Sequence, residues 1–561
     1  MNKKILLLSS LSLVLTSCIY SFGSSSLDWK NVRNDGNGIY AISDRVANYS
    51  LSFSYSSFES AMKKADEAAI NKSNVYTFTG EMNRVNNYFA TLRDKVTIAR
   101  ARYYAEGSSS YKEKYDELYD YFLSFYTWYY PFLLHVRDSS DEIYNSFFTG
   151  MNKEEIDEYI TGFKYDEKTK ALDKQITDIE DSQEMKYSAF IQGYRSGEIK
   201  EGDEKYQAYL SESLDNYRLL MEKGNEYASY FSYPNYYDYV YKMYYNRDYK
   251  IDFIDSYIDY VDTYVIPMVE YYDKNVDKSI LNNPSKKGLY QRYISSNIAD
   301  IYAYQGDAVD AYVYSMGGSM SNAYNHLKKS GLYIFSNLSN SLGTAFVSSS
   351  GSEPLIYFSK DYQNTTTIVH EFGHYFAAYT NEYNSTFPFD IEETHSQANE
   401  MLFNTYLTTY YKNDPDVDVY KFIQDGEVYD MLRGVIAPMM VAEVESYLSN
   451  NLSKDNETLL KEIKENITDK YKNYAYSAYW AAPVVSSSGY YISYATSGVA
   501  AVGTYIQAKE DYNLAKANYL KLVGYPEECH DIQKFFDYSG LYSPLKEETF
   551  KKFTHENLYS F

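Results

Sequence analysis

The stretch His370-Glu371-Phe372-Gly373-His374 places two histidines four residues apart, with a glutamate directly after the first of them. Residues i and i+4 lie on the same face of an α-helix, so both imidazole rings can bind one metal ion. This spacing is typical of a catalytic zinc site in which the two histidines are ligands and Glu371 is the general base. The alternative interpretation is a pair of histidines in a hydrophobic core.

The residues around this stretch predict that it is helical. Apolar side chains recur at helical spacing from Ile368 to Ala377, and Asn364 or Thr365 could cap the start of the helix. Gly373 is a poor helix former, since glycine costs about 1 kcal/mol relative to alanine inside a helix. We therefore expect a neighbouring chain segment to approach the helix closely at Gly373.

A catalytic zinc ion needs a third protein ligand and an open coordination position. The next helix start that is rich in carboxylates lies at residues 390–400. Glu393 is the preferred ligand there, and Glu392 and His395 are the alternatives. Glu393 could instead form a capping box with Asp390 as the N-cap, an arrangement that requires no metal.

Together these two segments resemble the thimet oligopeptidase and oligoendopeptidase F family of zinc metallopeptidases. The zinc helix of that family reads His-Glu-Phe/Leu-Gly-His, and a later helix reads Glu-x-His/x-Ser-x-x-x-Glu. Four residues match the later pattern in register: Glu393, His395, Ser396 and Glu400. The resemblance selects Glu393 over Glu392 as the third ligand. It implies one zinc ion per chain, held by His370, His374 and Glu393.

The resemblance also implies a reaction, which is the hydrolysis of internal bonds in short unfolded oligopeptides. Zinc lowers the pKa of its bound water to about 7, and Glu371 accepts the proton as the water attacks the peptide carbonyl. Ser396, Gln397 or Glu400, one or two turns further along the ligand helix, would orient the histidines.

Residues 343–358 resemble the short hairpin that precedes the zinc helix in this family. In such enzymes an edge strand at this place lets an extended peptide pair by main-chain hydrogen bonds. The alternative is an ordinary small sheet beside a helical core.

Residues 489–495 resemble the family's aromatic stretch, whose tyrosine hydroxyls face the zinc. The resemblance implies that Tyr490 or Tyr494 donates a hydrogen bond to the oxyanion that forms at the peptide carbonyl. Tyrosine is abundant, with 71 among 561 residues, so only the match in register supports this assignment. The family usually has a histidine a few residues upstream, whereas residues 480–486 contain none. A catalytically weak or inactive peptide-binding lipoprotein is therefore one alternative function, and a zinc carboxypeptidase is another.

Few glycines (26), few prolines (11) and long segments of helical periodicity predict a mainly α protein. The clearest helical segments are residues 78–106, 111–135, 206–230, 251–275 and 417–450. We expect a helical N-terminal lobe at residues 27–200 and a zinc peptidase catalytic region at residues 201–561. The resemblance implies two helical lobes around a deep substrate channel, with a small β-hairpin or sheet beside the zinc helix.

The N-terminus resembles a bacterial lipoprotein signal. Two lysines precede an apolar stretch at residues 5–15, which ends in Leu15-Thr16-Ser17-Cys18. This pattern predicts a signal peptide at residues 1–17, a lipid on Cys18 and a flexible tether at residues 18–26. We expect the protein to be lipid-anchored on the extracytoplasmic face of a bacterial cell membrane. A plain secretory signal is the alternative.

Composition argues against a nucleic-acid-binding protein and against a fold held together by disulfides. The formal net charge of −24 argues against nucleic acid as a partner, because phosphates need a basic surface. Cys529 is the only cysteine besides Cys18, so lipidation of Cys18 would leave no intramolecular disulfide.

Overall fold

The computed structural model describes residues 41–295, 306–338, 345–348 and 351–561. The protein is 74% helical and has a small four-stranded mixed sheet, which confirms the predicted mainly α class with a small sheet. The predicted signal peptide (1–17) and tether (18–26) lie outside the described residues. Within the described ranges, no helix is long and apolar enough to cross a membrane.

All N-terminal helices except the first pack around an aromatic-rich core formed by residues 58–165, whereas Val46 of the first helix lies in a separate cluster with residues 98–105 and the sheet. The N-terminal helices are α1 (Asp44–Ala47), α2 (Tyr55–Ile70), α3 (Val75–Glu106), α4 (Ser109–Arg137), α5 (Asp141–Phe147) and α6 (Lys153–Gly162).

The next group of helices leads to the sheet. They are α7 (Glu167–Ser196), α8 (Glu204–Ser229), α9 (Tyr236–Met243), α10 (Phe253–Tyr260), α11 (Ile266–Asn275), α12 (Ser279–Asn282), α13 (Pro284–Ser295), α14 (Gly306–Met316) and α15 (Gly318–Ser330). Residues of α7 already share the large core that the C-terminal helices form. The predicted boundary between lobes near residue 200 stays a prediction.

The helices after the sheet form the rest of the protein. They are α16 (Thr365–Thr380), α17 (Phe389–Tyr410), α18 (Val417–Asn451), α19 (Asn456–Ile463), α20 (Asp469–Tyr471), α21 (Pro483–Ser486), α22 (Ile492–Glu510), α23 (Tyr512–Val523), α24 (Ile532–Ser539), α25 (Glu547–Phe550) and α26 (His555–Leu558). Short 3₁₀ turns occur at Lys360–Tyr362 and Asn384–Thr386, and a π-helical turn occurs at Lys464–Thr468.

The structure confirms the predicted long helices, which are α3, α4, α8 and α18. The segment predicted at residues 251–275 is helical but not uniform, because a π-helical turn at Val261–Val265 separates α10 from α11. Pro267 follows this turn in the first positions of α11. Proline has no N–H to donate and its ring crowds the preceding turn, so the hydrogen-bond pattern of the helix changes there.

The strands are β1 (Ala41–Ile42), β2 (Leu332–Phe335), β3 (Ala345–Ser348) and β4 (Leu355–Phe358), in the order β1-β2-β4-β3. β3 and β4 pair antiparallel, which confirms the predicted hairpin, although Gly343 and Thr344 lie outside the described residues. β2 and β4 pair in parallel and are fully buried. The side chains on one face of β2 and β4 pack on α3, and those on the other face pack in the core that contains α16. By the strand order, β3 is an edge strand of the described sheet, and it lies beside α16.

The central helix of the C-terminal region is α17. It packs against α16, α18, α22 and α23, and almost all of its side chains are buried. The Asn399 side-chain amide donates to the main-chain oxygen of Val369, at 2.8 Å. This bond connects α17 to α16 one residue before the first histidine of the predicted zinc helix.

Candidate metal centre

Helix α16 has the start and the spacing that its sequence predicts. The side-chain oxygen of Asn364 accepts a hydrogen bond from the Thr367 N–H at 2.9 Å, so Asn364 is the N-cap. The rings of His370 and His374 lie on one face, with centroids 5.0 Å apart. Their side chains remain 22% and 19% exposed, which leaves both imidazoles accessible from solvent.

Gly373 is the position where α16 touches α17. A Cβ atom at Gly373 would lie 2.7 Å from the Cα of Ser396 and 2.8 Å from the main-chain oxygen of His395. Real side chains do not tolerate such distances, so glycine permits the two helices to pack backbone to backbone. The predicted close approach at this residue is confirmed.

Glu393 extends from α17 towards both histidines. Its Oε2 atom is 3.7 Å from the Nε2 atom of His370 and 3.7 Å from that of His374. Ligand atoms of these three residues all lie within 4.8 Å of one another, and no other group in the described part of the chain could hold a metal in this way.

The donor set fits a zinc ion. Two imidazoles and one carboxylate are the ligands of many catalytic zinc sites, and three protein ligands leave a fourth position open. The Oε2 atom of Glu393 is buried, and no hydrogen-bond partner for it exists among the described residues. A buried carboxylate oxygen without a partner is costly unless a cation compensates it.

The alternatives to Glu393 are separated by the geometry. Pro388, not Asp390, is the N-cap of α17, and no side chain caps that helix, so the capping-box interpretation is wrong. The physical reason is that a buried ion pair with Arg247 holds Asp390. His395 is fully buried beside the Phe387 ring and is not in the metal-binding group, and neither is Glu392.

Of the three residues predicted to orient the histidines, Glu400 is the one that contacts a histidine. Its Oε1 atom lies 2.6 Å from the Nδ1 atom of His370, so His370 can donate to Glu400 and keep Nε2 free for a metal. The other two candidates, Ser396 and Gln397, have different neighbours. The Ser396 hydroxyl donates to the main-chain oxygen of Glu393 at 2.8 Å. Gln397 lies between α17 and α22, close to Gly498.

Glu371 is buried, and its Oε2 atom has no hydrogen-bond partner within the described ranges. Burial raises the pKa of the Glu371 carboxyl to about 8, and the Glu393 and Glu400 carboxylates add to this effect. A carboxyl group whose pKa is brought close to neutrality is suited to proton transfer.

Tyr490 and Tyr494 form a pair next to the site, with their hydroxyl oxygens 2.7 Å apart. Burial raises the pKa of both phenols well above the usual value, and the Glu393 carboxylate is the next cause for each. Both hydroxyls therefore stay protonated at neutral pH and can serve as hydrogen-bond donors.

Two groups near the site were not singled out by the sequence. Glu427 of α18 accepts a hydrogen bond from the Thr366 hydroxyl at 3.2 Å, and burial, followed by the Glu400 carboxylate, raises its pKa to about 8. Arg247 forms the buried ion pair with Asp390, and its Nε–Oδ2 distance is 2.8 Å. Both are remote in sequence from the zinc helix.

The close packing at Gly373 makes a prediction for stability. Gly373→Ala should lower the free energy of unfolding by about 1–3 kcal/mol, because the added methyl group forces α16 and α17 apart. It should also weaken zinc binding, since His374 and Glu393 are on the two helices that separate. Denaturant unfolding and chelator competition measure the two effects.

The matched control is Gly434→Ala in α18, where a Cβ atom meets nothing within 4 Å. Alanine is the better helix former by about 1 kcal/mol, so this variant should be as stable as the wild type or more so. Equal stability of the two variants would contradict the role given to Gly373.

No protein-family model matches the chain. The chain is 25% identical over 232 residues to an oligoendopeptidase F homolog from Borreliella burgdorferi, a match that covers 36% of this chain. The match spans 38% of the length of that curated relative.

The chain is also similar to solved structures over nearly its whole length. A protein from Bacillus anthracis assigned as oligoendopeptidase F superimposes with a TM-score of 0.61 at 14% identity, over 92% of this chain and 97% of that chain. An oligoendopeptidase F from Enterococcus faecium gives a TM-score of 0.52 at 13% identity, over 90% and 96%. PZ peptidase A with an inhibitor gives 0.56 at 12% identity, over 91% and 98%.

At sequence identities this low, the superpositions show only that the fold is shared. The resemblance predicted from the sequence is confirmed: a curated relative of this chain is an oligoendopeptidase F homolog, and the structures that share its fold include those of oligoendopeptidase F.

Proposed function

We propose that this chain is a zinc-dependent endopeptidase that hydrolyses internal bonds of short, unfolded oligopeptides. The observation that carries the proposal is the group His370, His374 and Glu393, with Glu371 directly after His370 in the same helix. The fold shared with oligoendopeptidase F structures supports peptides as the substrate class.

The chemistry divides among a few side chains. His370, His374 and Glu393 would hold the ion, and zinc bound there would supply Lewis acidity, which lowers the pKa of a water molecule to about 7. Glu371 accepts a proton from the attacking water and then delivers it to the nitrogen of the leaving amine. A tyrosine hydroxyl, from Tyr490 or Tyr494, donates a hydrogen bond to the developing oxyanion.

The edge strand β3 supplies a binding mode for varied peptides. It is the outer strand of the described sheet and packs against α16, the helix of the two histidines. A peptide that pairs with an edge strand is held by main-chain hydrogen bonds, which do not depend on the side chains of the substrate. This mode suits an enzyme that cuts many sequences.

The test is cleavage of a mixed peptide library by the purified protein, with and without a chelator, followed by mass analysis of the products. Internal cuts that stop when the metal is removed support the proposal. Loss of one residue at a time from the carboxyl end would identify a zinc carboxypeptidase instead. Binding without any cleavage in the presence of zinc would identify a peptide-binding protein.

We also propose that the protein is a lipid-anchored, extracytoplasmic protein, on the basis of Leu15 to Cys18 in the sequence. The wild type should then partition with membranes, and Cys18→Ala in an exported form should appear in the soluble fraction. Fractionation with detection by antibody measures both. Equal solubility of the two proteins after signal processing would refute the anchor.

A further inference from the structure

One arginine, Arg247, is buried in the middle of the catalytic region. It lies on the connection between α9 and α10, and its side chain has no exposed surface. Its Nε atom donates to Oδ2 of Asp390 at 2.8 Å, and one terminal nitrogen donates to the main-chain oxygen of Gly489 at 2.5 Å. The other terminal nitrogen donates to the hydroxyl of Ser493. Each of the three nitrogens of the guanidinium group therefore donates a hydrogen bond.

The partners of Arg247 lie next to the functional residues on two different elements. Asp390 is in the first turn of α17, three residues before Glu393. Gly489 directly precedes Tyr490, and Ser493 directly precedes Tyr494. The guanidinium group thus connects the start of the helix that carries Glu393 to the main chain beside one tyrosine and to the side chain beside the other.

The surroundings hold the guanidinium group in a fixed plane. Its central carbon lies 4.7 Å from the centroid of the Tyr241 ring and 4.5 Å from that of Tyr245. On the other side of the ion pair, Asp390 accepts hydrogen bonds from the hydroxyls of Tyr249 at 2.7 Å and Thr496 at 2.5 Å. Each nitrogen of the guanidinium group and each oxygen of the carboxylate therefore has a partner, and satisfied partners are the condition under which buried charges keep one geometry.

We propose that Arg247 is a positioning residue that sets Tyr490 and Tyr494 relative to Glu393. The inference rests on the proposed peptidase function and deepens it. A hydrogen-bond donor stabilises an oxyanion only within about 2.7–3.1 Å, and a misplacement on the order of 1 Å can reduce the rate about 10²-fold. A planar fork with several fixed donors holds three partners at once, whereas the single ammonium group of lysine does not.

Two variants weaken this connection to different degrees. Arg247→Lys keeps the positive charge beside Asp390 but loses the fork, and we expect kcat to fall about 10²-fold with KM and zinc content unchanged. Ser493→Ala removes one bond of the fork and the bond of 3.3 Å that the Ser493 hydroxyl donates to Oδ2 of Asp390, and it leaves the contact between the Arg247 Nε atom and Asp390 in place. We expect kcat to fall about tenfold, and this variant keeps the inference testable if Arg247→Lys does not fold.

The matched control is Arg218→Lys. Arg218 bonds to the main-chain oxygens of Leu452 and Lys454 and to the Asn456 side chain, so it also joins two segments, none of which belongs to the site. Its replacement should lower the melting temperature and leave kcat unchanged.

A double-mutant cycle separates positioning from general stability. Tyr490→Phe and Tyr494→Phe together remove both donors, and in that background Ser493→Ala should change kcat by less than about twofold, because the groups it positions are gone. If Ser493→Ala lowers kcat equally in both backgrounds, Arg247 does not act through the tyrosines and the inference is wrong.

A binding measurement provides a readout that does not need turnover. A phosphinic peptide mimics the tetrahedral oxyanion, and its affinity should fall about 10²-fold in Arg247→Lys, whereas the affinity of an ordinary peptide for Arg247→Lys combined with Glu371→Gln should not change. Equal loss for both ligands, or no loss for either, overturns the inference. Failure of the wild type to cleave any peptide refutes the proposed function alone, because the phosphinic peptide still tests Arg247.

Discussion

Glu371→Gln should reduce peptide turnover about 10²-fold to 10⁴-fold while zinc content and peptide affinity stay close to those of the wild type. An amide has the shape of the carboxylate but cannot accept the proton from water. The Oε2 atom of Glu371 has no protein partner within the described residues, so the substitution breaks no protein hydrogen bond there. Single-turnover kinetics, metal analysis and calorimetric peptide binding measure the three quantities.

The matched control is Glu427→Gln. Glu427 is also a deeply placed carboxyl whose pKa burial raises to about 8, but its partner is the Thr366 hydroxyl. We expect this variant to retain turnover within about tenfold of the wild type. A similar loss of turnover in both variants would mean that turnover depends on negative charge near the metal site and not on proton transfer by Glu371. If the wild type and Glu371→Gln bind peptides equally and neither cleaves them, the peptide-binding alternative replaces the enzyme.

The parts of the site that the sequence predicts are those that local patterns determine. The N-cap Asn364, the two histidines of α16 and the close approach at Gly373 all follow from spacing within one helix. The sequence narrows the residue that orients His370 to Ser396, Gln397 or Glu400, and of these Glu400 lies two helical turns beyond Glu393 on the same face of α17.

The parts that the sequence does not predict depend on contacts between distant segments. Arg247 and Asp390 are 143 residues apart, and nothing near Asp390 indicates that a buried arginine would draw its side chain away from the helix end. Asp390 has the residue type and the position of an N-cap, but a fully buried ion pair is the stronger determinant. Glu427 is hidden for the same reason, since it lies inside a 35-residue helix without a local motif.

Removal of a metal ligand should have the largest effect on the protein. His370→Ala and His374→Ala should each abolish zinc binding at micromolar metal and all peptide cleavage, because two ligands do not hold a catalytic zinc ion. Glu400→Gln should have a smaller effect, about a 10-fold to 100-fold loss of zinc affinity, since Glu400 orients His370 through a bond of 2.6 Å and is not a ligand.

The adjacent pair Glu392 and Glu393 provides the sharpest comparison. Glu392 is half-buried and Glu393 is buried, and desolvation raises the pKa values of their carboxyls to about 8 and about 7, respectively. Only Glu393 reaches both histidines, so Glu393→Ala should lose zinc and Glu392→Ala should retain it. Full zinc occupancy in Glu393→Ala with loss in Glu392→Ala would show that the third ligand is the neighbouring residue.

Thermal unfolding provides an independent measurement of the same ligands. Zinc that binds only the folded chain stabilises it by RT ln(1 + [Zn]/Kd), which is about 4 kcal/mol when zinc exceeds its Kd a thousandfold. The melting temperatures of the wild type and Glu392→Ala should therefore rise when zinc is added to the metal-free proteins. The melting temperatures of His370→Ala, His374→Ala and Glu393→Ala should not respond to zinc. Each of these variants lacks one ligand, so its folded state no longer binds zinc more tightly than its unfolded state.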